Sequence, residues 1–172
     1  LRYLGVKEED LGRMFRAFPG LLTMDIEKEM TPVVNFLIEI GVSNVGAFVT
    51  ALPPVLGYSV EKELRPKWEY LQRVCLQPTF EINNFPGYFS YPFDRVIRTR
   101  YDYLAVKGIA RQLVPVDAVV RFGDIDFATK IARDDDGGKI FRAFSEKRKL
   151  TATSGQQRRA RQNKANHPNT PK

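Results

Sequence analysis

FPGLLTMDIEKEMTPVVNFL, residues Phe18 to Leu37, returns 34 residues later as LPPVLGYSVEKELRPKWEYL, residues Leu52 to Leu71. Pro19/Pro53, Leu22/Leu56, Glu27/Glu61, Lys28/Lys62, Glu29/Glu63, Pro32/Pro66 and Leu37/Leu71 are identical. These seven matches in twenty positions stand against roughly one expected from ordinary composition. A further shift of 33 brings FPGYFSYPFDRVIRTRYDYL, residues Phe85 to Leu104, into the same frame. It repeats Pro53 as Pro86, Tyr58 as Tyr91, Arg65 as Arg98 and Tyr70-Leu71 as Tyr103-Leu104. A period of this size marks a stacked, repeated architecture.

Within each unit the apolar residues keep helical spacing: Ile26, Met30, Val34 and Leu37, then Val60, Leu64, Trp68 and Leu71, then Phe93, Ile97, Tyr101 and Leu104. Offsets of 4, 8 and 11 put them on one helix face. Ahead of Pro19 a second amphipathic stretch carries Val6, Leu11, Met14, Phe15 and Phe18, and the proline ends it by withholding a backbone donor. Each unit therefore reads as a helical hairpin. Asp25 and Ser59 are placed to cap the second helix, and Pro92 stands at that position in the third unit. One hairpin cannot hide its apolar face alone, so neighbours must stack. The expected fold is all-α, a short right-handed-type solenoid of helical hairpins with units at about 4–37, 40–71 and 74–104 and closing helices over 105–144. Pro32 and Pro66 fall inside second helices and predict kinked or late-starting helices, whereas Thr99 in the third unit predicts a straighter run. Arg73 to Asn84 lacks a clean amphipathic stripe, which leaves the third unit's first helix weakly specified.

The 172 residues, 43% hydrophobic and 27% charged, supply the core of about one domain. No run approaches the roughly 18 uncharged apolar residues of a spanning helix, and Cys75 has no partner for an internal disulfide. The net charge of +7 is unevenly placed. Residues 1–144 carry 19 Lys and Arg against 19 Asp and Glu, and residues 145–172 carry eight against one. The chain divides on this ground into a neutral helical body, 1–144, and a basic tail, 145–172. The tail is expected to be disordered or extended by itself, because Leu150 is its only large apolar residue.

Catalysis finds little support. The single histidine, His167, lies in the tail, and there is no glycine-rich phosphate loop or nucleophile elbow. Asp134-Asp135-Asp136-Gly137-Gly138 lacks the ligand alternation of a calcium loop and reads as a polar turn. The expectation is no enzyme, no metal, no cofactor, no small-molecule substrate and no membrane partner. The basic residues point instead to phosphate. In the tail, Lys147, Arg148, Lys149, Arg158, Arg159, Arg161 and Lys164 suit phosphate neutralisation. In the body, the residues around the second-helix proline run Thr31, Arg65, Arg98 before it and Val33, Lys67, Arg100 after it. Equivalent helices lying side by side would turn such positions into a ladder. Arg95, Lys107 and Arg111 add to the surplus in the third unit, where only Asp94 and Asp102 oppose it. Arg65, Lys67, Arg95, Arg98, Arg100, Lys107 and Arg111 are therefore the expected contacts of the body. Lys28 and Lys62, each beside a glutamate, read as ordinary solvated charges.

Phe18-Pro19 with Leu21-Leu22, Glu27-Lys28 and Pro32 form a pattern that recurs as Pro53 with Val55-Leu56, Gly57-Tyr58-Ser59, Glu61-Lys62 and Arg65-Pro66-Lys67, and again as Phe85-Pro86 with Tyr88-Phe89-Ser90-Tyr91. This resembles the mitochondrial transcription termination factor (mTERF) family over roughly Leu4 to Leu104. Arg121 to Ile131 resembles the family's short closing helix. The resemblance implies a curved all-α solenoid located in a mitochondrion or chloroplast. It implies a non-catalytic binder of DNA or RNA, acting in transcription termination, transcription regulation or RNA processing, with ribosomal or transcription-complex proteins as further partners. Family members carry more repeats than three and Leu1 enters directly into a unit, so the chain is expected to be the C-terminal part of a longer array. The neutral body keeps two rivals open: an rRNA-bound structural component of an organellar ribosome, and a protein adaptor.

Overall fold

The structure, a computed structural model, describes residues 1–151. All regular structure among them is helical, with no strand. The chain forms two compact units, Leu1–Arg121 and a second that begins at Phe122. This boundary lies well before the point, after Phe144, where the charge changes character.

In the first unit the helices are α1 (Glu8–Ala17), α2 (Thr31–Glu39), α3 (Val45–Ala51), α4 (Arg65–Arg73), α5 (Phe80–Asn84), α6 (Thr99–Val106) and α7 (Val116–Arg121). The three repeats occupy α1–α2, α3–α4 and α5–α6, each a hairpin with a tight turn at its corner. Phe18, Leu52 and Phe85 are held extended, with φ of −143°, −136° and −137°, because the following proline ring excludes the helical region for them. Pro19–Leu22, Pro53–Gly57 and Pro86–Ser90 then form 3₁₀ turns that each start on the proline, where its missing N–H is not needed.

The second helices begin in an unusual way. Ile26–Met30, Val60–Leu64 and Phe93–Arg98 are π turns that run directly into α2, α4 and α6. Met30 N–H reaches back five residues to Asp25 O at 3.3 Å, Leu64 to Ser59 O at 3.1 Å and Ile97 to Pro92 O at 3.2 Å. Pro32 and Pro66 thus become the second residue of an α segment, and the widened turn before them relieves the ring's clash with the preceding carbonyls. The expectation of late-starting helices holds for these two repeats. The straighter run expected at Thr99 is corrected: the third repeat keeps the π turn without a proline. There the Thr99 hydroxyl donates to Asp94 O at 2.7 Å, five residues back, as Thr31 does to Ile26 O at 2.8 Å.

Caps fix the start of these turns. Asp25 Oδ1 accepts from Glu27 and Lys28 N–H at 2.9 Å, and Glu29 accepts from Asp25 N–H at 2.7 Å. Ser59 and Glu63 repeat the exchange. It is a reciprocal capping box. Pro92 has no N–H to satisfy, and Val96 stands where the other repeats have the glutamate.

Leu37, Leu64, Leu71, Ile97, Tyr101 and Leu104 are fully buried, as their spacing predicted. Ile26 departs from that pattern at 68% exposed. The buried face is also wider than one stripe, since Val33 and Phe36, Lys67 and Tyr70, and Arg100 and Tyr103 are buried too. The weakly specified helix of the third repeat is real but only five residues long, α5. Its neighbourhood is held by side chains reaching to backbone: Gln77 Nε2 donates to Arg111 O at 2.9 Å and Val114 O at 2.7 Å, and Glu81 accepts from Val116 N–H at 2.8 Å.

The second unit contains α8 (Asp124–Asp126), a π turn at Phe127–Ile131 and a final helix, α9, over residues 139–151. Phe127 and Phe141 meet edge to face at 5.0 Å in its core. The tail was expected to be disordered or extended from Ser145; residues 145–151 are instead part of α9, because Phe141 and Phe144 upstream give the helix an anchoring face, and residues 152–172 lie outside the described residues.

Gly46 in α3 packs against the backbone of Leu4 and Gly5, so closely that a Cβ would collide with the Leu4 carbonyl. Gly46→Ala should therefore destabilise by about 1–3 kcal/mol through overpacking, read as a melting temperature lower by roughly 2–4 °C per kcal/mol.

Candidate nucleic-acid interface

The expected ladder divides sharply once side chains are placed. Val33, Lys67 and Arg100 occupy one position in three successive repeats, and all three are buried. Lys67, 8% exposed, donates from Nζ to Phe89 O at 2.6 Å, and Tyr88 Oη donates back to Lys67 O at 2.9 Å. Arg100, 4% exposed, donates from Nη1 to Val119 O at 2.9 Å and Val120 O at 3.2 Å. Both cations serve carbonyls at the C-terminal end of a short helical segment that follows in the chain, where intrahelical donors run out. Burial pushes the Lys67 ammonium below its ordinary range, with Glu63 partly opposing. Arg111 acts similarly, donating to Tyr101 O at 3.0 Å, Val74 O at 3.3 Å and Asp102 Oδ1 at 3.2 Å. Lys67 and Arg100, expected as surface contacts, are thus buried clasps on carbonyls of the following segment, whereas Arg111 is half-buried and holds carbonyls that precede it in the chain.

Arg65 is half-buried and ties α4 to α2, meeting Glu39 at 3.0 Å and Glu61 at 3.2 Å with its guanidinium over the Phe36 ring. That hydrogen bond holds the Glu39 carboxyl below its usual range and raises the Arg65 guanidinium. Arg98 is exposed and pairs with Asp94 at 3.3 Å. Arg95 is exposed and has no ion-pair partner among the described residues. Lys107 is exposed at the end of α6. On α9, Lys147 and Lys149 are exposed, while Arg148 is half-buried over the Phe144 ring. Arg158, Arg159, Arg161 and Lys164 lie outside the described residues.

Two cations read as ordinary belong with Arg95. Lys28, Lys62 and Arg95 share one position, each in the first turn of a second helix and each exposed. Lys28 is 3.9 Å from Asp25, and Lys62 has no ion-pair partner among the described residues. The 34- and 33-residue offsets already placed these three in register. Their surroundings differ. Lys28 is flanked by Glu27 and Glu29, and Lys62 by Glu61 and Glu63, the second of each pair being the reciprocal cap. In the third repeat Pro92 needs no such cap and Val96 carries no charge, so Arg95 and Arg98 face Asp94 alone. The third repeat is where the turn becomes basic.

Burial pushes the Cys75 thiol up to about 12 and raises the Tyr70, Tyr88 and Tyr101 hydroxyls above their ordinary values, so all stay protonated at neutral pH. Among the described residues no cluster of three His, Cys, Asp or Glu side chains is arranged to hold a metal ion, and no helix is long and apolar enough to cross a membrane.

The mTERF family model matches residues 1–128. The chain is also similar to transcription termination factor MTERF2, chloroplastic, of Arabidopsis thaliana, at 32% identity over 99 residues. That stretch is 56% of this chain and 15% of the relative, so the chain spans a small part of the protein it matches.

Arg100→Ala removes the donor to two buried carbonyls and leaves a void, which should cost about 2–4 kcal/mol in denaturant unfolding. Arg95→Gln should leave unfolding unchanged.

Proposed function

Given that the chain belongs to the mTERF family, whose members are non-catalytic nucleic-acid-binding factors of organelles, we propose that it binds DNA or RNA in a mitochondrion or chloroplast and acts in transcription termination, transcription regulation or RNA processing. The observation that carries this reading is the family's match over an array in which one exposed cation position recurs per repeat, at Lys28, Lys62 and Arg95. A stack of such positions meets a polyanion at successive phosphates. The contacts proposed for the body are Arg95 and Arg98, with Lys62 beside them. Arg65 supports the stack through Glu39, and Lys107 extends the basic stretch. Contacts of this kind set position on the backbone and carry no base identity.

The neutral balance of residues 1–144 favours a second reading, a component fixed to a large organellar RNA, with body surfaces docking protein and the basic C-terminal stretch meeting phosphate. A free regulator and an assembly component differ in what they travel with.

Crosslinking in the organelle followed by sequencing of the bound nucleic acid separates them. Scattered sites and slow sedimentation are expected of a regulator, whereas one rRNA footprint with sedimentation among ribosomal subunits selects the component. Recovery of no nucleic acid overturns both. In a purified binding assay, Arg95→Gln should flatten the slope of log affinity against log salt by about 0.9 on duplex DNA, and Lys67→Ala should leave that slope unchanged in the folded protein.

A further inference from the structure

The densest exposed positive charge on the described chain lies on α9. Residues 139–151 hold five basic side chains against one acidic. We propose that α9 is a preformed grip on the sugar-phosphate backbone of a nucleic acid, presented by Lys139, Arg142 and Lys147 and indifferent to base sequence. The inference rests on the nucleic-acid reading above and names the element that would hold the partner.

Three features of the helix carry it. First, α9 is fixed. Asp136 caps its start, accepting from Gly138 N–H at 3.0 Å and Ile140 N–H at 2.7 Å. Phe141, 2% exposed, seats against Phe127, and Phe144, Ser145 and Arg148 follow on the same inner face at helical spacing. A fixed helix presents its outer face without the ordering cost that a loose basic segment incurs on binding.

Second, that outer face carries a positive surplus. Lys139, Arg142 and Lys147 are exposed, and none has an ion-pair partner among the described residues. Glu146, exposed four residues after Arg142, is the one carboxylate on that face, and it forms no ion pair among them. By contrast, Arg98, Arg121 and Lys130 each pair with a carboxylate four residues earlier on their own helix. In α9 those earlier positions are Asp135, which lies before the helix and does not pair, then Gly138 and Ala143. With a rise of about 1.5 Å per residue, the three cations extend over roughly 12 Å of helix.

Third, the same face lacks what other partners need. It carries no Asn or Gln to read adenine edges, and its Lys and Arg side chains are of the types that most often meet phosphate oxygens, with guanine edges the one base readout open to them. Insertion into a bilayer needs a continuous apolar face. The two phenylalanines of α9 lie on its inner face, and Ile140 and Leu150, both exposed, stand about 15 Å apart along the axis.

The test uses the full chain and the triple variant K139Q/R142Q/K147Q, with K139R/R142K/K147R as the charge-preserving control. The probes are a short mixed-sequence DNA duplex, a duplex of shuffled sequence, and single-stranded RNA. The glutamine variant should keep the melting temperature and lose about 2.7 from the salt slope on duplex DNA, or about 2.1 on the single strand. The ratio of affinities for the two duplexes should not move, and the control should bind as the unaltered chain does. A variant that binds with the full original slope overturns the role of α9 while leaving the nucleic-acid reading standing. A changed ratio between the duplexes overturns the claim of sequence indifference. Phosphatidylserine vesicles bound by the unaltered chain and released by the variant, with the DNA slope intact, assign the helix to a membrane instead. An unaltered chain that binds none of the three nucleic acids removes both readings.

Discussion

A buried cation reaching forward to the carbonyls of the next helical segment is the constraint on which the stack depends. Lys67 serves Phe89 and Arg100 serves Val119 and Val120 from the same position of successive second helices. The segments they reach are a 3₁₀ turn and a six-residue helix, too short to satisfy their own carbonyls internally. A charged donor contributes about 1.5–3 kcal/mol net in such a bond, and a buried carbonyl left without one costs a similar amount. The contact is directional where apolar burial is not, so it fixes register between hairpins whose Leu, Tyr and Phe faces would tolerate sliding. Val33 fills the position in the first repeat, where packing alone suffices.

The corner turn and the π turn govern where charge can stand. Each hairpin turns on a proline that enforces an extended residue before it and a tight turn after it, and each second helix then opens wide to accept another proline or a threonine. In the first two repeats that opening is capped, and the glutamate completing the cap places a negative charge beside Lys28 and Lys62. With Pro92 the third repeat does without the cap and so without the charge. A backbone requirement at one residue thereby sets the electrostatics of a surface, and the basic character of the array rises at the third repeat.

The family relation and the charge distribution fit together on these terms. A body balanced between acids and bases cannot attract a polyanion by its overall field, so binding must come from local arrangements in which a cation lacks a neutralising neighbour. Such places include Lys62 and Arg95 in the first unit and the outer face of α9 in the second. Several other surface cations are tied to a carboxylate of their own helix, as Arg73, Arg121 and Lys130 are.

Periodicity alone made the hairpins legible. The recurrence of Pro19, Pro53 and Pro86 marked the corners, the 4, 8 and 11 offsets marked the second helices, and Asp25 and Ser59 marked two of their starts. These are local consequences of backbone sterics and side-chain direction, which neighbouring residues determine. Arg95, Arg98 and Lys62 also stood where the repeat frame put them. The frame could not separate Lys67 and Arg100, which are interior, from Arg95, which is not. Whether a cation on a helix meets water or a carbonyl depends on what the following segment brings over it, a contact made across 22 residues for Lys67 and 19 for Arg100. The sequence by itself determined the units and their order. Only tertiary packing decided which cations became joints and which were left to face a partner, because burial belongs to a pair of elements and not to one.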